Sequence, residues 1–176
     1  MVTEQDAHRW LEMQQEGWAG GGRLSFAVLY REAASPPDRV DGNVVLKGYA
    51  TGKNSAEVGY WTAPAARCRG VASGAVEMLT SWAFESFGPH GLQRIELFHQ
   101  QDNLPSCRVA QKSGYVLTGV IPADPPPSLT TAICIPGTHR ADPVQRTTRS
   151  SMSARMLRGD VGWTPPDAGA TTAGVR

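Results

Sequence analysis

The chain has 176 residues, an ordinary globular composition and a formal net charge of +1, which sets the expectation of one folded domain. So balanced a charge gives no electrostatic case for a nucleic-acid or membrane partner. No apolar run approaches the roughly 20 residues that cross a bilayer, and the N-terminal stretch lacks a signal peptide's apolar centre. Cys68, Cys107 and Cys134 show no paired spacing and the histidines are scattered, so a reduced, cytoplasmic protein with no metal site is expected.

Residues 3–18 place Ala7, Trp10, Leu11 and Trp18 at helical spacing. Residues 19–22 are a glycine-rich connector with no phosphate-loop lysine after them. Leu24, Phe26, Val28 and Tyr30 alternate as a strand does. Pro36 and Pro37 mark 33–39 as a loop, Asp41-Gly42 reads as a turn, and 43–51 reads as the next strand. Residues 57–61, bounded by Pro64, complete an antiparallel meander.

After Gly70 the period changes. Val71, Ala75, Met78, Leu79, Trp82, Ala83 and Phe87 recur at helical spacing until Gly88-Pro89 stops them. Trp82 and Phe87 belong to that stripe and are expected in the core. A strand over 92–99, a helix over 103–113 ended by Gly114, and a strand over 115–121 follow. From Glu57 onward this is an α/β unit in which consecutive strands can lie parallel. Beyond Pro122 the signal weakens: 131–135 and 149–157 are strand candidates. Residues 159–176, rich in Gly, Ala, Thr and Pro, read as a disordered tail, leaving 1–158 as the folded domain.

The segment Arg67-Cys68-Arg69-Gly70-Val71-Ala72 stands where a strand gives way to a helix. A pyrophosphate needs convergent N–H donors, and the first turn of a helix leaves such donors unpaired. Small residues at Gly70 and Ala72 let phosphates approach the main chain, and Arg67 and Arg69 can add charge-assisted contacts. Taken alone, the hexapeptide also reads as a plain loop-to-helix junction with two solvated arginines.

Two further segments narrow the reading. Asn103-Leu104-Pro105-Ser106 opens a run that continues Val109-Ala110-Gln111-Lys112-Ser113-Gly114-Tyr115, and Glu57-Val58-Gly59-Tyr60-Trp61 precedes the arginine-rich turn. In this order and spacing, the three segments resemble the GNAT superfamily of N-acetyltransferases, and within it the RimJ/RimL branch, from about Trp10 to Val120. The resemblance implies an α/β fold whose mixed central sheet, flanked by helices, splays between the parallel strands 57–61 and 92–99. It also implies acetyl-CoA as co-substrate, with the pantetheine arm along Trp61, Thr62 and Ala63. The pyrophosphate would lie on Arg67, Arg69, Gly70, Val71, Ala72 and Ser73.

The same resemblance implies roles for single residues. Transfer to a primary amine, on a protein N-terminus or a small molecule, needs a base, and Glu57 is the first candidate, with His99 the second. Family members often carry a general-acid tyrosine seven residues after the motif asparagine; here that position is Ala110. Ser106 is the replacement the branch suggests, although it could equally cap its helix. Asn103 would orient the pantetheine amide, cap the helix, or do both. Trp10 or Trp18 could shape the acceptor groove, although core packing competes for each. By the resemblance, the family's usual first strand and helix would fall ahead of Thr3, so that either an acceptor-site wall is missing or Met1 is not the natural start, and the C-terminal third departs from the usual returning strand. A GNAT-like coenzyme-binding module without turnover is therefore the competing reading, and an unrelated α/β domain the third. A monomer or homodimer is expected.

Overall fold

The computed structural model describes residues 3–31, 39–49, 54–122, 129–136 and 153–157. Helix α1 (Glu4–Ala19) begins at a reciprocal cap. Asp6 N–H donates to Thr3 Oγ1 at 3.2 Å, while the Thr3 N–H and hydroxyl donate to the Asp6 carboxylate at 2.9 and 2.7 Å. These Thr3 bonds, the backbone one foremost, hold the Asp6 carboxyl below its ordinary range.

The strands are β1 (Arg23–Arg31), β2 (Val40–Lys47), β3 (Ser55–Thr62), β4 (Arg94–Gln100), β5 (Val116–Pro122), β6 (Leu129–Pro136) and β7 (Ser153–Leu157). They form one sheet in the order β5-β6-β4-β3-β2-β1-β7. Helix α2 (Val71–Phe87) connects β3 to β4, and α3 (Leu104–Lys112) connects β4 to β5. A crossover helix lets β3 and β4 pair in parallel, and every other neighbouring pair is antiparallel. This is the mixed, helix-flanked α/β sheet expected of the sequence.

Three details correct the sequence reading. Asp41 and Gly42 lie inside β2 and do not form a turn. Asp41 O accepts the Ala63 N–H at 2.8 Å, and a Cβ on Gly42 would stand 2.4 Å from Trp61 O. The glycine is needed for close approach of two strands. Strand β2 ends at Lys47, and Gly48, at φ +79°, turns the chain; the last residues of the predicted strand, 50–51, lie outside the described residues. Strand β5 is not a neighbour of β4, because β6 folds back on β5 and takes the edge of β4 for itself. The candidate at 149–157 yields β7, which pairs with the outer edge of β1. The predicted tail at 159–176 lies outside the described residues.

The core forms between one sheet face and α2. Leu24, Phe26 and Val28 of β1, Val44 and Leu46 of β2, Ala56 and Val58 of β3, and Ile95 and Leu97 of β4 meet Val76, Leu79, Ala83 and Phe87 of α2. Apolar burial of this kind is the main force holding the layers together. Trp82 meets Phe26 and Phe87 edge-on at 5.0 and 5.4 Å, so Trp82 and Phe87 are core residues. Trp18 meets Phe26 edge-on at 5.2 Å and donates Nε1–H to Ser25 O at 3.0 Å, which makes it a packing residue too.

Strand alternation sends Arg23 and Ser25 to the opposite face. There the buried Gln14 of α1 accepts from Arg23 Nε at 2.8 Å and Ser25 Oγ at 2.6 Å, and donates to Trp10 O at 3.2 Å. One side chain thus ties α1 to β1.

Candidate active site

Strands β3 and β4 pair only from Ser55–Arg94 to Val58–Leu97. Both run on, to Thr62 and Gln100, without further pairing to each other. Over the same length β3 stays paired with β2 as far as Thr62. The sheet therefore forks, and the fork leaves one edge of β3 without a partner strand. Ala63 N–H is spent on Asp41 O, so alternation turns the main-chain groups of Tyr60 and Thr62, not those of Trp61 and Ala63, into the open fork.

A cleft of about 410 Å³ opens there. Trp10 of α1 lines it, with Arg23, Asn43 and Lys47 from β1 and β2. Glu57, Tyr60 and Trp61 of β3 face Phe98 and His99 of β4, and Asn103 and Ser106 at the start of α3 close the far side. The structure thus brings together the sequence candidates Glu57, Trp61, His99, Asn103 and Ser106. Thr62, Ala63 and the loop Arg67, Arg69, Gly70, Val71, Ala72 and Ser73 are not among the lining residues; they follow β3 out of the cleft.

Glu57 faces Lys47 in the β2–β3 register, and Lys47 Nζ binds Glu57 Oε1 in an ion pair. On its other side Glu57 is level with Glu96, whose carboxylate takes Arg94 Nε at 2.9 Å. Register places Arg23, Lys47, Glu57 and Glu96 in one row across four strands, two cations beside two carboxylates.

On the other face, Tyr60 and His99 are the first residues beyond the last paired couple, Val58 and Leu97. The Tyr60 hydroxyl is buried without a hydrogen-bond partner. Burial pushes its pKa above the ordinary tyrosine value, and the nearby Ser106 hydroxyl pulls it partly back. His99 Nδ1 lies 2.8 Å from Gln100 O, a pure acceptor, so Nδ1 carries hydrogen there. His99 Nε2 is likewise buried without a partner. Two unsatisfied polar atoms at the mouth of one fork are what a site for a polar ligand looks like.

Asn103 caps α3, with Oδ1 accepting the Ser106 N–H at 3.2 Å. Its Nδ2 remains for other work, and the Ser106 hydroxyl lies close to that of Tyr60. Ala110, one helix turn deeper, is fully buried.

After β3 a short turn, Pro64–Ala66, leads to the arginine-rich loop. Cys68 and Gly70 take left-handed conformations, φ +59° and +80°, which aim the loop into α2. No side chain caps α2; Gly74 N–H makes the bond to Gly70 O at 3.0 Å, so Val71, Ala72 and Ser73 offer the free first-turn amides. Arg67 is exposed and Arg69 half-buried beside them.

Sequence reasoning missed Tyr60. In an alternating strand between Gly59 and Trp61 it reads as a packing residue. The only available signal was Ala110, which left a proton donor to be found elsewhere. Among the described residues no cluster of three or more His, Cys, Asp or Glu could hold a metal, and no helix is long and apolar enough to cross a membrane.

A profile of the acetyltransferase (GNAT) domain matches residues 1–116. The match spans most of the chain, and the chain belongs to this family of acetyltransferases. No curated protein matches it in sequence at a significant level. Solved structures that share the fold include RimJ of Mycobacterium smegmatis in complex with CoA-disulfide, at 20% identity and a TM-score of 0.63, over 78% of this chain and 64% of that one. The ribosomal-protein-S5-alanine acetyltransferase of Vibrio fischeri matches at 17% identity and a TM-score of 0.62, over 78% and 74%. A mutant of the spermidine N-acetyltransferase SpeG of Vibrio cholerae matches at 16% identity and a TM-score of 0.61, over 78% and 79%. At such identities the likeness is one of fold.

Proposed function

We propose that the protein transfers the acetyl group of acetyl-CoA directly to a primary amine, on a protein N-terminus or a small molecule, in the cytoplasm. The observation that carries this reading is the fork: β3 leaves β4 after Val58 and Leu97 but stays bound to β2. A free strand edge beside a cleft suits an extended amide-bearing chain such as pantetheine. The uncapped first turn of α2, with Arg67 and Arg69 beside it, suits a pyrophosphate. Tyr60 Oη and His99 Nε2, buried without partners, suit a polar reacting group between them.

Each residue then has a physical task. Tyr60 and Thr62 present main-chain donors and acceptors to the pantetheine arm, and Asn103 Nδ2 reaches for one of its amides. Glu57 takes a proton from the incoming amine, directly or through water, and Lys47 holds the carboxylate in place. Trp10 and Trp61 border the acceptor's approach. Acetyl-CoA supplies an activated acyl carbon, so no covalent enzyme intermediate is needed.

Calorimetry with acetyl-CoA, followed by thiol release over a panel of amines, tests the proposal. The panel should include spermidine and peptides with N-terminal alanine, the acceptor types that the fold relatives' names suggest. Binding with transfer supports the enzyme. Binding without thiol release supports a coenzyme-binding module, which the burial of Ala110 at the usual acid position favours. Failure to bind acetyl-CoA sinks both.

A further inference from the structure

We propose that Tyr60 is the acid that protonates the departing coenzyme sulfur, a task that Ala110 cannot perform. The inference rests on the acetyl-transfer reading and goes beyond it in naming the proton donor. Tyr60 stands two residues past Val58, the last residue of β3 paired with β4, and on the same face, as His99 stands two residues past Leu97. It lines the cleft with Ser106, the other hydroxyl there. A phenol in a packing role normally finds an acceptor or reaches water. The Tyr60 hydroxyl is shut off from water and makes no well-formed hydrogen bond, although the Ser106 hydroxyl is close enough to act on it. Phenylalanine would fill the same space without a buried, unsatisfied donor, so packing does not explain the oxygen.

The chemistry fits the position. As the amine nitrogen attacks the thioester carbon, an N–C bond forms and the C–S bond breaks, and sulfur leaves with the bonding pair. The Tyr60 O–H gives its proton to that sulfur, producing the thiol and a phenolate. Glu57 or His99 Nε2 accepts the proton shed by the attacking nitrogen and returns it, directly or through water, to the phenolate. The protons balance over one turnover. Burial raises the phenol's pKa above its ordinary value, so the acid is loaded at neutral pH. The Ser106 hydroxyl lies beside it and assists by hydrogen bonding to the phenolate, acting through Tyr60 as a positioning residue.

The test compares wild type with Tyr60→Phe, using CoA, desulfo-CoA and acetyl-CoA as probes. Both proteins should bind desulfo-CoA equally, because Tyr60 then has no sulfur to meet. At alkaline pH, Tyr60→Phe should bind CoA more weakly than wild type, and its bound thiol should ionise at higher pH, read by thiolate absorbance. With the best amine of the panel, kcat should fall on the order of a hundredfold with little change in acetyl-CoA affinity. Equal CoA affinity, equal thiol ionisation and equal kcat would overturn the assignment of Tyr60. Loss of acetyl-CoA binding by the wild-type protein would instead overturn the coenzyme site itself. Should Tyr60→Phe fail to fold, a fluorinated tyrosine at position 60, more acidic but the same shape, should move the alkaline limb of kcat to lower pH. An unmoved limb counts against the proposal.

Discussion

Lys47 and Glu57 oppose each other across the β2–β3 ladder, and their charged ends close into an ion pair at the floor of the cleft. Both side chains are about one-third exposed, at 35% and 38%, so water screens the pair and its net contribution to stability is small. Its value lies in orientation. Glu57 has Glu96 on its other flank, and without Lys47 two carboxylates would share one stretch of sheet. Lys47 therefore holds the Glu57 carboxylate in one orientation beside the cleft.

Glu57→Gln is expected to lower kcat on the order of a hundredfold while leaving acetyl-CoA affinity unchanged, since amide and carboxylate have the same shape. Lys47→Met should lower kcat less and cost only about 0.5 kcal/mol of folding stability. The double variant should turn over no more slowly than Glu57→Gln, because Lys47 acts through Glu57. Additive losses in steady-state kinetics would mean that Lys47 has a separate task, and unchanged turnover in Glu57→Gln would remove Glu57 from the mechanism.

Gly42 tests the geometry of the fork without touching its chemistry. A Cβ there would stand 2.4 Å from Trp61 O and 3.3 Å from Thr62 Cα, both backbone atoms that cannot swing aside. Gly42→Val should therefore push the end of β3 away from β2. A loss of about 1–3 kcal/mol is expected, as for other overpacked sites, read as a lower urea midpoint. Acetyl-CoA binding should weaken too, because the displaced residues form the free edge. Wild-type stability would mean that the strands do not approach so closely.

How much of this was legible in the sequence depends on distance along the chain. Helix α2 was plain, because Val71, Ala75, Leu79 and Ala83 repeat at its period and Gly88-Pro89 ends it. The loop at Gly70 and the Asn103 cap were legible as local chemistry, and Asn103 does cap α3. Gly42 misled because Asp-Gly is a strong turn signal, while the cause of this glycine is a carbonyl on another strand. The fork between β3 and β4 was expected only through the family resemblance, and the insertion of β6 between β4 and β5 was not expected, because periodicity finds strands without naming their neighbours. Tyr60 stayed hidden for a similar reason: alternation predicts which way it points, but not that its hydroxyl is buried and left without a well-formed hydrogen bond.

Gly70 carries the coenzyme loop on its conformation. At φ +80° and ψ +1° it sits in the left-handed region, where any other residue except asparagine or aspartate is strained. Gly70→Trp should abolish acetyl-CoA binding, both by tilting the first turn of α2 and by filling the phosphate's approach. Its far-ultraviolet circular dichroism should stay that of a folded protein, with stability lowered by about 1–2 kcal/mol. Gly70→Asn, which tolerates the conformation, should lose less of both. Undiminished affinity in Gly70→Trp would sink the loop assignment.

Tyr60 also leaves a mark on stability at high pH, which needs no knowledge of the acceptor. Burial raises its folded-state pKa above the ordinary value of 10.0, so the unfolded chain loses the phenol proton first. Below the unfolded value both states hold the proton and the contribution is fully present. As pH rises through the interval up to the folded value, ionisation favours the unfolded chain and stability is lost. Tyr49, also raised by burial, acts in the same direction. Tyr60→Phe should therefore flatten, but not abolish, the alkaline decline in the urea midpoint above about pH 10, with Tyr49→Phe removing a further part. Coincident alkaline profiles for wild type and Tyr60→Phe would show that the Tyr60 hydroxyl ionises as freely in the folded protein as in water. The buried, loaded acid inferred for the cleft would then be lost as well.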